Sequence, residues 1–386
     1  MQPALQMSNK RDPASVETPR PPAGSREKQG PGAPKTKRPE VPYIRAIAAL
    51  AVVQMHAVGE AVFNFDPNAS FDERWWVGNV YYSALRWATP FFIMLSGSVM
   101  LTPGRVETAG EFLRKRMNRI LPAFAFWSVL YLLYQYRGNI WDNNLPTWRE
   151  VFNKIVFEDV YYHLWFIPMI IGMYFLTPVF QVFIRHAKRF DIEYFLVFSF
   201  LVTGLQHFIQ NLLVVKYIGW LGYIGYYVLG YYLSQYTLRW SKWLYVLAII
   251  SLPFTAIVTW MLTKQAGAYN NLVYVYFSPN VVLMSAALFY YLCQKDWAAF
   301  AVRFPWLNAF MQWLAPLSFG IYFVHVMIID ALKNGYLGPN TTYYLFFGVP
   351  IPPVIGALLS AVVAAAYSMV LIFLLSKVPR LNRWIM

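Results

Sequence analysis

The sequence predicts an all-α fold: a polytopic integral membrane helical bundle of about ten transmembrane helices, with N-terminus and C-terminus both cytoplasmic. Three observations carry this reading. The chain is 58% hydrophobic and only 13% charged, with a mean hydropathy of +0.40, a composition of membrane proteins rather than soluble ones. Apolar runs recur along it, close to the about 20 residues a helix needs to cross a bilayer. Basic residues concentrate in alternate connections, fifteen Lys or Arg in the inward segments against seven in the outward ones, as the positive-inside rule requires.

Taken in order, residues 1–40 hold eight Lys or Arg among Pro, Gly and Ser. Nothing there can build a core, so the stretch reads as a disordered basic cytoplasmic tail, either touching anionic headgroups or simply solvated. It lacks the short apolar region and cleavage site of a secretory signal. A transmembrane domain follows over 41–380, and 381–386 form a cytoplasmic end. Crossings are expected near 42–63, 77–101, 118–136, 161–184, 192–211, 214–234, 241–263, 272–293, 311–331 and 345–376. Gly204, Gln206 and His207 interrupt the fifth, and Pro279 suits a helix start in the eighth. The last run is too long for one straight crossing; its opening FFGVPIPPVIG reads as a loop or re-entrant turn.

The net charge of +14 is distributed as a membrane protein distributes it, which argues against nucleic acid as a partner. The single cysteine, Cys293, excludes an internal disulfide and lies in an apolar stretch, as a structural buried thiol would. No Cys/His spacing of a zinc site occurs, and no metal is expected.

The first crossing carries three ionisable residues, Arg45, His56 and Glu60. Such groups are costly in lipid and face a bundle interior or a water-filled cavity. Arg45 and His56 are eleven residues apart, about three turns plus 20°, so they share a helix face with an axial offset of about 16 Å. A cation near one surface, an imidazole near the midplane and a carboxylate beyond it form one stripe. The alternative is a snorkelling arginine and a packed histidine. A neutral imidazole suits a general base, so His56 is the candidate. Glu60, one turn on, either orients that ring or sits at headgroup level.

Further candidates follow along the chain. Arg116 and Arg119 lie three apart in the basic run EFLRKRMNRILPAF; with Arg45 they could meet an anionic ligand, or they form an ordinary positive-inside cluster. Arg86 either binds an acceptor or pairs with Glu60. Ser96, beside Gly97, is a nucleophile, a hydrogen-bonding group or a packing residue. His163 and Trp165 either contact an acceptor or anchor the interface. Tyr322 and His325, i and i+3, either line a cavity or are structural. The loop near 137–160 mixes Trp, Asn, Asp and Arg, which suits sugar binding or interfacial anchoring.

Five elements together resemble the acyltransferase-3 family of integral membrane acyltransferases. Arg45 and His56 match its Arg, ten residues, His pattern in the first span. PFFIMLSGSVM at 90–100 is similar to its FF-x-x-SGF element, with Ser98 where Phe commonly stands. Arg116, Arg119, Ile120 and Pro122 match R-x-x-R-I-x-P. HLWFIPMIIGMYFLTPVF at 163–180 and LSFGIYFVHVMII at 317–329 resemble its His-Leu-Trp-Phe and late Ser-x-x-x-Tyr-x-x-His spans. The resemblance implies transfer of an acyl group, usually acetyl, from cytoplasmic acyl-CoA as co-substrate to a hydroxyl of an extracytoplasmic glycan or lipid-linked sugar. It further implies a multi-pass protein of a bacterial inner membrane, among membrane lipids and polysaccharide biosynthesis machinery. In that scheme His56 and Glu60 are catalytic and Arg45, Arg116 and Arg119 hold the donor. Arg86, Ser96, His163, Trp165, Tyr322 and His325 meet the acceptor. The alternative is a transporter or exporter of a polysaccharide precursor or acyl group; the absence of a repeat between the two halves counts against it. A titrating channel or sensor comes third, since no filter sequence or Arg-rich voltage helix is present.

Overall fold

The computed structural model describes residues 38–63, 65, 71–102, 107–142, 144–156, 158–208, 221–379 and 384. The expected tail therefore lies outside the described residues except for 38–40, and the C-terminal end except for 384. Arg38 and Glu40, counted with the tail, are tied to the bundle. Arg38 Nε meets Glu40 at 2.9 Å and its guanidinium donates to the Ser98 carbonyl and Thr102.

Helix α1, Glu40–Phe63, is the central element. It packs against α2 (Glu73–Leu85), α3 (Ala88–Met100), α13 (Pro305–Lys333) and α14 (Pro353–Ser376). Ala46, Ala48, Ala49 and Ala51 are all buried; such small residues let helix backbones approach closely where the hydrophobic effect no longer drives association. Its start is pinned by Tyr43, which stacks on Trp297 at 3.9 Å and bonds Asn308 at 2.6 Å.

The second expected crossing is two helices. Pro90 lacks the N–H that would bond the Arg86 carbonyl, so the helical hydrogen bonding is interrupted at Arg86–Trp87 between α2 and α3, although both residues keep helical φ and ψ. Helix α4, Ala109–Gln135, begins earlier than expected, behind a capping box of Thr108 and Glu111. Arg114, Lys115, Arg116 and Arg119 thus all lie on a helix rather than partly in a loop. Short helices α5 (Arg137–Trp141) and α6 (Trp148–Val156) occupy the following loop. Helix α7, Phe166–His186, starts just after His163 and Trp165, which sit in the preceding turn.

Helices α8 (Arg189–Phe208), α9 (Leu221–Gln235) and α10 (Ser241–Ala266) follow. The expected boundary between the fifth and sixth crossings falls outside the described residues. Helix α11 runs Pro279–Gln294 with Pro279 at its first turn, after a 3-10 turn at Leu272–Tyr274. Helix α12, Trp297–Arg303, is capped by Asp296. Between α13 and α14 the Pro-rich stretch is a two-stranded hairpin, β1 (Leu345–Phe346) and β2 (Val349–Pro350). Phe347 and Gly348 make its turn, both with positive φ, as a tight hairpin demands.

Among the described residues six helices are long and apolar enough to cross a membrane: α1, α7, α10, the turn-plus-α11 segment, α13 and α14. The other expected crossings fall on α2–α3, α4, α8 and α9, which are shorter or more charged. The tightest packing joins α3 to α9. A Cβ on Gly97 would lie 1.8 Å from the Tyr227 carbonyl oxygen, and one on Gly230 1.9 Å from that of Met94.

Candidate functional site

Two polar clusters lie along one side of α1. Antiparallel α7 accompanies that side: Tyr162, just before α7, meets His56, and Tyr174 within it reaches Arg45. Neither Arg45 nor His56 stands alone among apolar chains.

At the Arg45 end the site is cationic. Arg45 is within Coulombic reach of Arg119 and Tyr174, and Tyr174 within reach of Arg119, Arg116 and Arg45. The Ser96 hydroxyl donates to the Phe92 carbonyl at 2.8 Å, so in its hydrogen bond with Tyr174 the phenol is the donor. That arrangement makes Ser96 a hydrogen-bonding group of its own helix. Arg119 lies 5.8 Å from the Phe319 ring, and neither it nor Arg45 has an ion-pair partner among the described residues. Arg116 is already engaged. It pairs with Glu107 at 2.9 Å and lies over the Phe112 ring at 4.0 Å. Tyr174 had no signal in the sequence beyond being a tyrosine in an apolar run.

Hydrogen bonds from Lys115 and Arg116 hold the Glu107 carboxyl below its ordinary range. With the folded pKa lowered, this pair is complete above the ordinary carboxylate pKa and is lost as pH falls through the lowered value. Glu107 thus shields Arg116 near neutrality. Glu107→Gln is expected to improve the apparent affinity of this cluster for an anion about 2- to 5-fold, the scale of one released exposed ion pair. Titrating membranes of both proteins with a phosphate-bearing nucleotide checks this; unchanged affinity would remove Arg116 from any anion-binding role in this cluster.

At the other end three imidazoles pack ring to ring. His56 lies 5.1 Å from His325, and His325 5.4 Å from His163, centroid to centroid. Tyr162 flanks His56 at 5.5 Å, and Tyr131 and Tyr322 flank His163 at 5.0 and 5.6 Å. A backbone carbonyl only accepts, so its partners fix the protons. His325 Nδ1–H donates to Ile321 O at 3.0 Å, and His163 Nε2–H to Phe323 O at 3.3 Å. His325 Nε2 and His163 Nδ1 are left as bare, buried nitrogens without a hydrogen-bond partner. The Tyr322 hydroxyl donates to the His163 carbonyl at 2.6 Å, locking the turn that carries His163. Among the described residues no group of three or more His, Cys, Asp or Glu is arranged to hold a metal ion. Sequence spacing could not bring His56, His163 and His325 together, since they stand on three separate elements. Tyr162 was legible only as the neighbour of His163.

Arg86 fills the α2–α3 junction. Its Nε donates to the Tyr274 carbonyl at 2.7 Å and Nη1 to the Tyr82 hydroxyl at 2.9 Å, with the guanidinium 4.3 Å from the Tyr276 ring. Trp165 stacks on that same Tyr276 ring at 5.9 Å. The pairing of Arg86 with Glu60 is replaced: tyrosines and a carbonyl surround the cation, while Glu60 forms an ion pair of 2.5 Å with Lys333 of α13. Glu60 and His56 line one partly open cavity, together with Lys333, Tyr343 and Ser360.

Residues 38–377 match the family model described as Acyltransferase domain. A stretch of 137 residues, 33% of this chain, is 31% identical to a protein named amino-acid racemase from Enterococcus faecalis. The match covers 16% of that protein, so the activity in its name stays with it. No solved structure matches the chain.

Proposed function

The chain belongs to the acyltransferase-3 family of integral membrane acyltransferases, and from that premise we propose that it transfers an acyl group, acetyl by resemblance, from cytoplasmic acyl-CoA to a hydroxyl of an extracytoplasmic glycan or lipid-linked sugar. One observation supports this reading above the others. His56 lines the cavity at one end of α1, while Arg45 on the same helix reaches a cationic cluster at the other. A donor with an anionic head and a long thioester arm fits that spacing of about 16 Å.

In this mechanism Arg45 and Arg119 bind the CoA phosphates and the thioester reaches the level of His56. The neutral imidazole takes the proton of the acceptor hydroxyl as its oxygen attacks the thioester carbon. The C–S bond breaks, the ester forms, and the imidazolium returns the proton to the thiolate. His325 and Tyr162, packed on His56, hold its ring in place.

Mass spectrometry of surface glycans and lipids with and without the gene tests the proposal: one acyl mass should be lost with the gene. No lost acyl group on any glycan or lipid refutes it. Arg119→Ala should weaken the donor about 10- to 100-fold, as loss of a charged hydrogen bond does, with the acceptor KM unchanged. Acyl-CoA titration of isolated membranes measures this.

A further inference from the structure

We propose that Arg86 stabilises the oxyanion that forms on the thioester carbonyl during acyl transfer, its guanidinium donating to that oxygen while His56 holds the proton. The inference rests on the transferase reading and names a group which that reading leaves unassigned.

The cation lacks a counter-charge. Arg86 is 7% exposed, and a guanidinium keeps its proton wherever it is placed. Among the described residues no carboxylate pairs with it. Its partners are a carbonyl, a phenol and a thioether: Nε donates to Tyr274 O, Nη1 to the Tyr82 hydroxyl, and Nη1 lies 3.8 Å from the Met55 sulfur. Nη2 makes no hydrogen bond among the described residues. Burying a charge without an opposite one is costly. The faces of Tyr276 at 4.3 Å and Tyr82 at 5.0 Å offset part of that cost. An anion that exists only during the reaction would supply the missing partner.

The guanidinium borders the imidazole cluster. Met55 precedes His56 on α1, and His56 is within Coulombic reach of Arg86. On the other side Tyr276 stacks on Trp165, in the same turn as His163, whose ring packs on His325 and through it on His56. The surround is rigid. The Tyr274 hydroxyl donates to Asn79 and accepts from Ser83 at 3.3 Å, and the Tyr276 hydroxyl donates to Thr89 at 3.1 Å. A Cβ on Gly78 would stand 2.5 Å from that of Ala61, so α2 lies close against α1. Donors fixed before charge develops lower a barrier most, because nothing has to reorganise as the charge appears.

The step balances. As the acceptor oxygen attacks the carbonyl carbon, His56 takes its proton and the C=O π pair moves onto the carbonyl oxygen. Arg86 Nη2–H donates to that oxyanion. The pair then returns to carbon, the C–S bond breaks, and the leaving thiolate takes the proton from His56. Arg86 ends as it began.

The test uses the full chain in isolated membranes, with radiolabelled acetyl-CoA as donor, the membranes' own glycan as acceptor, and turnover referred to protein measured by immunoblot. Arg86→Met should lower kcat about 10²- to 10³-fold, the effect of removing one oxyanion donor. The acetyl-CoA KM should stay within about threefold, as for a contact made only in the transition state. Two inhibitors separate this from a structural role. One is the trifluoromethyl ketone analogue of acetyl-CoA, which adds an oxygen nucleophile to form a stable tetrahedral oxyanion; the other is ethyl-CoA, a thioether without a carbonyl. Arg86→Met should lose about tenfold or more of the ketone's affinity and none of the thioether's. Arg86→Lys keeps the charge but not the planar fork; it should fall between parent and Arg86→Met in turnover and ketone affinity, again with the thioether unaffected. Equal loss of both inhibitors in either variant, or parental turnover in Arg86→Met, overturns the oxyanion role while leaving the transferase reading intact. A parent protein that transfers no acyl group overturns both.

Discussion

His56→Ala is expected to lower acyl transfer by about 10²- to 10⁴-fold, the range contributed by a positioned general base. The protein should still insert and accumulate, because His56 is only partly buried and lines a cavity rather than filling a packed layer. The donor KM should change little, since the donor's charged end is assigned to residues about 16 Å away. Immunoblotting of membranes alongside acyl-CoA-dependent labelling of the glycan separates loss of chemistry from loss of protein. An alanine variant with wild-type turnover would sink the assignment of the base.

The second large effect is on folding. Gly97→Leu or Gly230→Leu should prevent assembly of the bundle at α3–α9. The obstruction is backbone carbonyl oxygen at 1.8 and 1.9 Å from the new Cβ, and backbone inside a packed helix cannot rotate away as a side chain can. Overpacking commonly costs about 1–3 kcal/mol where side chains can yield; here the helices themselves must separate, so the cost lies at or above the top of that range. Loss of membrane-inserted protein, or a large drop in thermal stability in detergent, measures this. Gly204→Ala is the control, because nothing lies within 4 Å of a Cβ there. Equal stability of the Gly97 variant and that control would show that the close α3–α9 approach is dispensable.

Much was legible before any coordinates. The stripe of Arg45, His56 and Glu60 follows from helical period alone, and α1 ends where its apolar run ends, at Phe63. Pro279 opens α11 because a proline loses nothing at a first turn. The Pro-rich stretch before α14 is a non-helical connection, as its composition requires. The interruption of the second expected crossing at Arg86–Trp87 is a matter of backbone chemistry around Pro90, which hydropathy does not register. The start of α4 was placed too late because its first turns are charged, and a capping box stabilises a helix irrespective of hydropathy.

Local rules thus determined the helical membrane class, the family motifs and the residues worth watching, since periodicity, charge and backbone chemistry act over a few residues. Which of these meet was decided by packing alone. The ring contacts of His56 with His325 and of His325 with His163, the Glu60–Lys333 pair and the tyrosine surround of Arg86 join residues up to hundreds of positions apart. Such contacts depend on how helices pair and in what register, and that is set by shape matches such as Gly97 against Tyr227, which no short window of sequence contains.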